Sequence, residues 1–82
     1  MILNPLQANM TELSTEKMTV LFSYKTPVAA MVDEGLGYRF YRTEKRWSNT
    51  TSRHIKQWLG IYGKVAGEKP QEYFDNLIAG VK

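Results

Sequence analysis

The stretch that decides the fold is residues 19–43, TVLFSYKTPVAAMVDEGLGYRFYRT. Its first part, Thr19–Tyr24, is rich in β-branched and aromatic residues and predicts a strand. Pro27 interrupts this pattern because proline cannot donate to a β-ladder, and Val28–Val32 predicts either a continuation or a second strand. Asp33–Gly37 contains two glycines, which is typical of a hairpin turn. The segment Tyr38–Thr43 then predicts the returning strand.

Two amphipathic helices are predicted after the strands. The segment Trp47–Ser52 is rich in Ser, Thr and Asn, whose side chains accept hydrogen bonds from the free amides of a first helical turn. Behind it, apolar residues recur at the spacing of one helix stripe: Ile55, Trp58, Leu59 and Tyr62. Pro70 suits the first turn of a second helix. The apolar stripe of that helix is Tyr73, Phe74, Leu77, Ile78 and Val81.

The N-terminal residues 1–17 are predicted to form an arm, and residues 18–82 a single domain. Apolar residues of the arm recur at helical spacing, so a short docked helix and a partly ordered arm both stay open: Leu3, Leu6, Met10 and Leu13. A hairpin alone is unstable in water, so the helices must cover it. The sequence therefore predicts an α+β fold. Its small antiparallel sheet, a hairpin or meander, is followed by two helices packed on one face.

Length and composition restrict the class of protein. Eighty-two residues are enough for one domain, and the absence of cysteine excludes disulfides and thiolate zinc sites. The longest apolar run, Val28–Val32, is far shorter than the roughly 20 residues that span a bilayer. No signal-peptide pattern is present, so we expect a cytoplasmic protein with no membrane partner. The small core also predicts a homodimer, since a strand edge could pair with a second copy.

The net charge of +3 is unevenly distributed along the chain. Residues 38–64 hold seven basic residues and one acidic residue, which is a net charge of +6. Residues 1–37 and residues 65–82 are both net negative. This asymmetry indicates an anionic partner, because a clustered charge of one sign attracts the opposite sign.

The basic middle third predicts a binding surface. Single-stranded nucleic acid is bound by mixtures of aromatic and cationic side chains, with bases on the rings and phosphates on the cations. An acidic host protein is the second candidate ligand. The competing interpretation is that the aromatic residues form the core and the cations serve solubility. The candidate binding residues are Arg39, Tyr41, Arg42, Lys45, Arg46, Arg53 and Lys56.

Two segments resemble elements of a known family. Ser23–Ala29, SYKTPVA, resembles an S-Y-x-T-P-V-A element, and Thr43–Ile55, TEKRWSNTTSRHI, resembles a T-x-K-x-[WY]-S-x-T-T-x-x-H-I element. Together they are similar to a family of small uncharacterised proteins from bacteriophages and phage-related sequences. The resemblance extends from Met18 to about Leu59. It implies a phage origin and a bacterial host, and it implies no activity.

A small hydrolase is the alternative from another class. The single histidine, His54, lies close in sequence to four hydroxyl residues, and a histidine can activate a hydroxyl nucleophile. Helix capping explains the same hydroxyls, and no oxyanion site or orienting acid can be identified. One histidine and scattered acids also lack metal-ligand spacing. We therefore predict a non-enzymatic binding module without cofactor or metal, in which His54 serves the fold.

Overall fold

Five consecutive strands precede the first helix in the structure, a computed structural model that describes residues 2–80. Three residues of the predicted elements lie outside the described residues. They are Met1 of the arm, Val81 of the second helix stripe and Lys82 at the end of the domain. The α+β class is confirmed. The elements are β1 (Ile2–Gln7), β2 (Met10–Ser14), β3 (Met18–Ser23), β4 (Thr26–Asp33), β5 (Tyr38–Thr43), α1 (Asn49–Leu59), a 3₁₀ helix (Gly60–Lys64), β6 (Gly67–Lys69) and α2 (Gln71–Ala79).

The six strands form one sheet in chain order. Each of the first five strands pairs antiparallel with the next, whereas β6 runs parallel to β5. The predicted antiparallel meander is therefore confirmed in part, but the sheet is larger than predicted and contains one parallel pair. A parallel neighbour needs a crossover connection. Helix α1 and the 3₁₀ helix supply it.

The first hairpin of the sheet, β1 and β2, occupies the place where a short helix was one prediction. That helical interpretation is wrong, because Met10 and Leu13 are buried on opposite faces of a strand. Met10 packs in the cluster beneath α1, whereas Leu13 is the register partner of Val20, which packs in the cluster beneath α2. Asn9 has a φ of 63° in the connection between the two strands, a conformation that asparagine tolerates well. Strand β2 pairs with β3, so this hairpin belongs to the same sheet as the other strands.

The two helices lie on opposite faces of the sheet. Leu21 packs in one apolar cluster with Ile55 of α1, and its neighbour Val20 packs in a second cluster with Phe74 of α2. Because consecutive residues of a strand point to opposite faces, the prediction that both helices pack on one face is wrong. The physical reason is the continuous buried run Pro27–Ala30 in β4. Such a strand is apolar on both faces, and each face needs a cover.

Local signals set the ends of α1. Ser48 is the N-cap, and its side-chain oxygen accepts a 3.1 Å hydrogen bond from the backbone amide of Thr51. This hydroxyl satisfies one of the free amides of the first turn. Gly60 follows the helix with a φ of 55°, a conformation that favours glycine and ends the α-helical path. The helix therefore begins and ends where its sequence directs, with its first turn beside the end of β5.

Candidate functional site

Two neighbouring clefts border helix α1 and the end of β5. The first has a volume of about 350 Å³ and borders the segment 42–47. The second, of about 410 Å³, extends along α1 to the 3₁₀ helix. Arg42 and Ser52 line both clefts, so the two adjoin each other. We call the combined space the basic cleft, and its cations are Arg42, Lys45, Arg46, Lys56 and Lys64.

The cations of the basic cleft have no ion-pair partners among residues 2–80, where the one ion pair joins Arg39 to Glu34. Two carboxylates, Glu44 and Glu68, also line the cleft, so the cations outnumber the acids by five to two. Glu68 is the register partner of Arg42 between β5 and β6, yet the two side chains form no ion pair. Unpaired cations in a concave surface focus positive potential. The basic cleft is therefore suited to an anion.

Arg42 is the most buried cation of the basic cleft. It is half-buried on the α1 face of β5, and its Nε is completely enclosed without a hydrogen-bond partner in the described part of the chain. Buried polar groups nearly always have partners, and an unpaired charged donor costs free energy. Arg42 therefore lines the cleft with a guanidinium whose Nε is enclosed and unsatisfied.

Trp47 forms an exposed aromatic edge of the basic cleft. Its side chain is 42% exposed, and its Nε1 donates a 3.0 Å hydrogen bond to Oε1 of Gln71. Gln71 is held in turn, because its amide nitrogen donates to the backbone oxygen of Pro27. The ammonium of Lys45 lies 4.1 Å from the centre of the Trp47 ring, a cation–π contact. The ring is therefore held in place and remains partly exposed.

Two predicted binding residues, Arg39 and Tyr41, lie on the opposite face of the sheet. Tyr41 is 9% exposed, and its ring meets Tyr73 edge-on. Its hydroxyl donates a 2.7 Å hydrogen bond to Oε2 of Glu34. This hydrogen bond raises the pKa of Tyr41, and burial adds to the effect. A buried ring cannot stack on a base, and Arg39 is already bound to Glu34 at 3.1 Å.

The remaining predicted cation, Arg53, lies on the other side of α1. It borders a separate cleft of about 210 Å³ with Gln7 and Gln57. Lys64 lines the basic cleft but is not among the candidate binding residues predicted from the sequence. Its one sequence signal was its place in the basic middle third. The predicted residues that the structure brings together are Arg42, Lys45, Arg46 and Lys56.

His54 lies in a buried hydroxyl network between α1 and β3. Its Nδ1 is 2.8 Å from Oγ of Ser23, and that oxygen is 3.0 Å from Oγ1 of Thr51. His54 is 6% exposed and Ser23 is 1% exposed. The network joins the first half of α1 to the sheet, which supports the structural role predicted for His54. A nucleophile must reach its substrate, and the hydroxyl bonded to His54 is enclosed.

A protein-family model matches residues 1–76 of the chain and is described as a family of unknown function (DUF8033). The chain belongs to this family. The match includes the first hairpin of the sheet, which lies outside the segment of the resemblance seen in the sequence. The family description names no activity and no bacteriophage, so the phage origin stays a prediction. No curated protein and no solved structure matches the chain.

The described residues hold neither a candidate metal site nor a helix suited to a membrane. Between residues 2 and 80, no three side chains of the metal-binding acidic and histidine types are grouped to hold an ion. No helix in that range has the length and apolar character needed to cross a membrane. Among the described features, the basic cleft has the chemistry that best indicates a ligand.

Proposed function

We propose that the protein is a non-enzymatic binding module that takes single-stranded nucleic acid in the basic cleft. The observation that carries this proposal is the convergence of five cations, none of them ion-paired within residues 2–80. A positively charged groove tracks the phosphate backbone of a single strand. Since phosphates carry no base identity, the binding is expected to be largely independent of sequence.

Trp47 supports nucleic acid over an acidic protein as the ligand. Its ring is exposed at the edge of the basic cleft and is held by Gln71. A base that stacks on such a ring contributes about 1–3 kcal/mol to binding. An acidic protein surface would use the cations but would gain no stacked base. The arrangement of cations beside a held aromatic ring therefore favours a single-stranded nucleic acid.

Fluorescence anisotropy of a labelled single-stranded oligonucleotide tests this function, with polyglutamate as the acidic competitor. We expect polyglutamate to compete weakly at equal charge concentration, because it offers no base to Trp47. Lys45→Gln should weaken oligonucleotide binding, whereas Lys25→Gln, an exposed lysine outside the basic cleft, should not. Equal competition by polyglutamate would transfer the proposal to an acidic host protein. If neither the oligonucleotide nor polyglutamate binds at low salt, the proposed function is rejected.

The phage origin and the cytoplasm of a bacterial host are also part of the proposal. They rest on the two sequence elements, Ser23–Ala29 and Thr43–Ile55, and on the lack of an export pattern. The genes beside the coding sequence test the origin. Neighbouring genes for phage structural or replication proteins would support it, and a conserved setting of host housekeeping genes would contradict it.

A further inference from the structure

The terminal nitrogens of the Arg42 guanidinium are the donors that a ligand in the basic cleft can reach, because Nε itself is enclosed. The guanidinium is planar and presents N–H groups in a fork that matches the oxygens of a phosphate group. The Nε hydrogen of this fork is enclosed and has no acceptor in the described chain. Ser52 lines both parts of the basic cleft together with Arg42, and its hydroxyl is a further donor.

The surrounding charges favour one oxyanion at this position. Lys45 and Arg46 approach from the segment after β5, and Lys56 approaches from the next turn of α1. The first turn of α1 contains no acidic residue, so the positive end of the helix is not neutralised there. Glu44 and Glu68 oppose an anion, but the cations outnumber them.

We propose that Arg42 and Ser52 form a discrete phosphate-binding site, in which one tetrahedral phosphate group accepts hydrogen bonds from the guanidinium and the hydroxyl. The inference deepens the proposed function, because it assigns one phosphate of a bound strand to a fixed position in the basic cleft. The other cations then contact neighbouring phosphates through charge alone. The site requires only a phosphate group, so inorganic phosphate binds it without a nucleic acid.

Nuclear magnetic resonance of the full ¹⁵N-labelled chain tests the site directly. Inorganic phosphate is titrated at constant ionic strength, with chloride replaced by phosphate. We expect a saturable shift of the Arg42 Nε–H resonance, because the phosphate binds the terminal nitrogens of the same guanidinium and changes the electronic environment of Nε. Arg42→Lys keeps the charge but loses the fork, so it should weaken phosphate binding about tenfold, the loss of one charge-assisted hydrogen bond. Arg53→Lys is the matched control on the other side of α1 and should bind phosphate as the unmodified protein does.

Two results would overturn the site. One is an Arg42 Nε–H resonance that responds to phosphate no more than to chloride, a measurement that needs no variant. The other is an equal loss of phosphate binding in both lysine variants, which shows a general charge effect. The site and the proposed function fail separately. Phosphate binding without oligonucleotide binding rejects the function and keeps the site, whereas oligonucleotide binding without an Arg42 shift does the reverse.

Discussion

Charge reversal at Arg46 should weaken binding of a single-stranded oligonucleotide much more than charge reversal at Arg53. Both arginines are exposed, and neither has an ion-pair partner within residues 2–80. They differ in position, because Arg46 lines the basic cleft and Arg53 borders the separate cleft across α1. The two variants carry the same net charge, so any difference between them reports position.

The salt dependence gives this prediction its magnitude. Each phosphate neutralised on a single strand contributes a slope of about −0.7 to the logarithm of affinity against the logarithm of salt. Five contacting cations correspond to a slope of about −3.5, and affinity then falls about a hundredfold between 50 and 200 mM salt. Arg46→Glu removes one contact and should reduce the slope to about −2.8. Arg53→Glu should keep the original slope.

Anisotropy titrations over a range of salt concentrations measure the three slopes. Thermal melting of each variant provides the control for folding, since exposed charges contribute little to stability. Equal affinities and equal slopes for the two variants would refute the reasoning. Net charge alone would then account for binding, and the basic cleft would have no special part in it.

Three further predictions concern the fold and its assembly. Ser23→Ala should lower the free energy of unfolding by about 1–3 kcal/mol, because it leaves Nδ1 of His54 buried without its partner; an unchanged urea midpoint would contradict this. Stability should fall as pH rises above 10 and continue to fall until pH passes the raised pKa of folded Tyr41, since unfolded tyrosine releases its proton first. Tyr41→Phe should reduce this fall in alkaline thermal melts, and an identical fall would argue against it. The exposed and uncharged edge strand Ile2–Gln7 should pair with a second copy, and a monomer mass from light scattering at high micromolar concentration would exclude the dimer.

Much of the fold could be predicted from the local pattern of apolar residues. The errors arise where the pairing between strands determines the structure. The strand Tyr38–Thr43 matches its prediction because alternation and a preceding glycine turn are local signals. Strand β6 has only three residues and is stabilised by its pairing with β5. It is too short for a periodic pattern of apolar residues to predict it. The apolar spacing of residues 3–13 fits a helix as well as two strands. The strand pairing of β2 and the burial of Met10 and Leu13 on opposite faces separate these interpretations.

The positions of the charges along the chain predict which segment carries the candidate site, but not which of its side chains meet there. Lys45 and Arg46 follow β5 directly, so any fold that retains this strand places them at its end. Arg39 was misplaced because its pairing with Glu34 depends on how the intervening turn closes, which composition does not show. Tyr41 was misplaced because the second helix covers its face of the sheet. Which face each helix covers follows from the crossover into β6, and the sequence predicts helix α1 of this crossover but not the three-residue strand to which it leads.

The most direct test of the central claim is a map of amide shifts in the ¹⁵N-labelled protein during titration with an oligothymidylate about eight nucleotides long, a length within the range that one binding domain covers. We predict that the largest amide shifts lie in the segment 42–47 and along residues 52–64, which border the basic cleft. The claim also predicts small shifts around Phe74 and Ile78 of α2, which pack on the other face of the sheet. Shifts concentrated around Gln7 and Arg53, or spread evenly over both faces of the sheet, would contradict it.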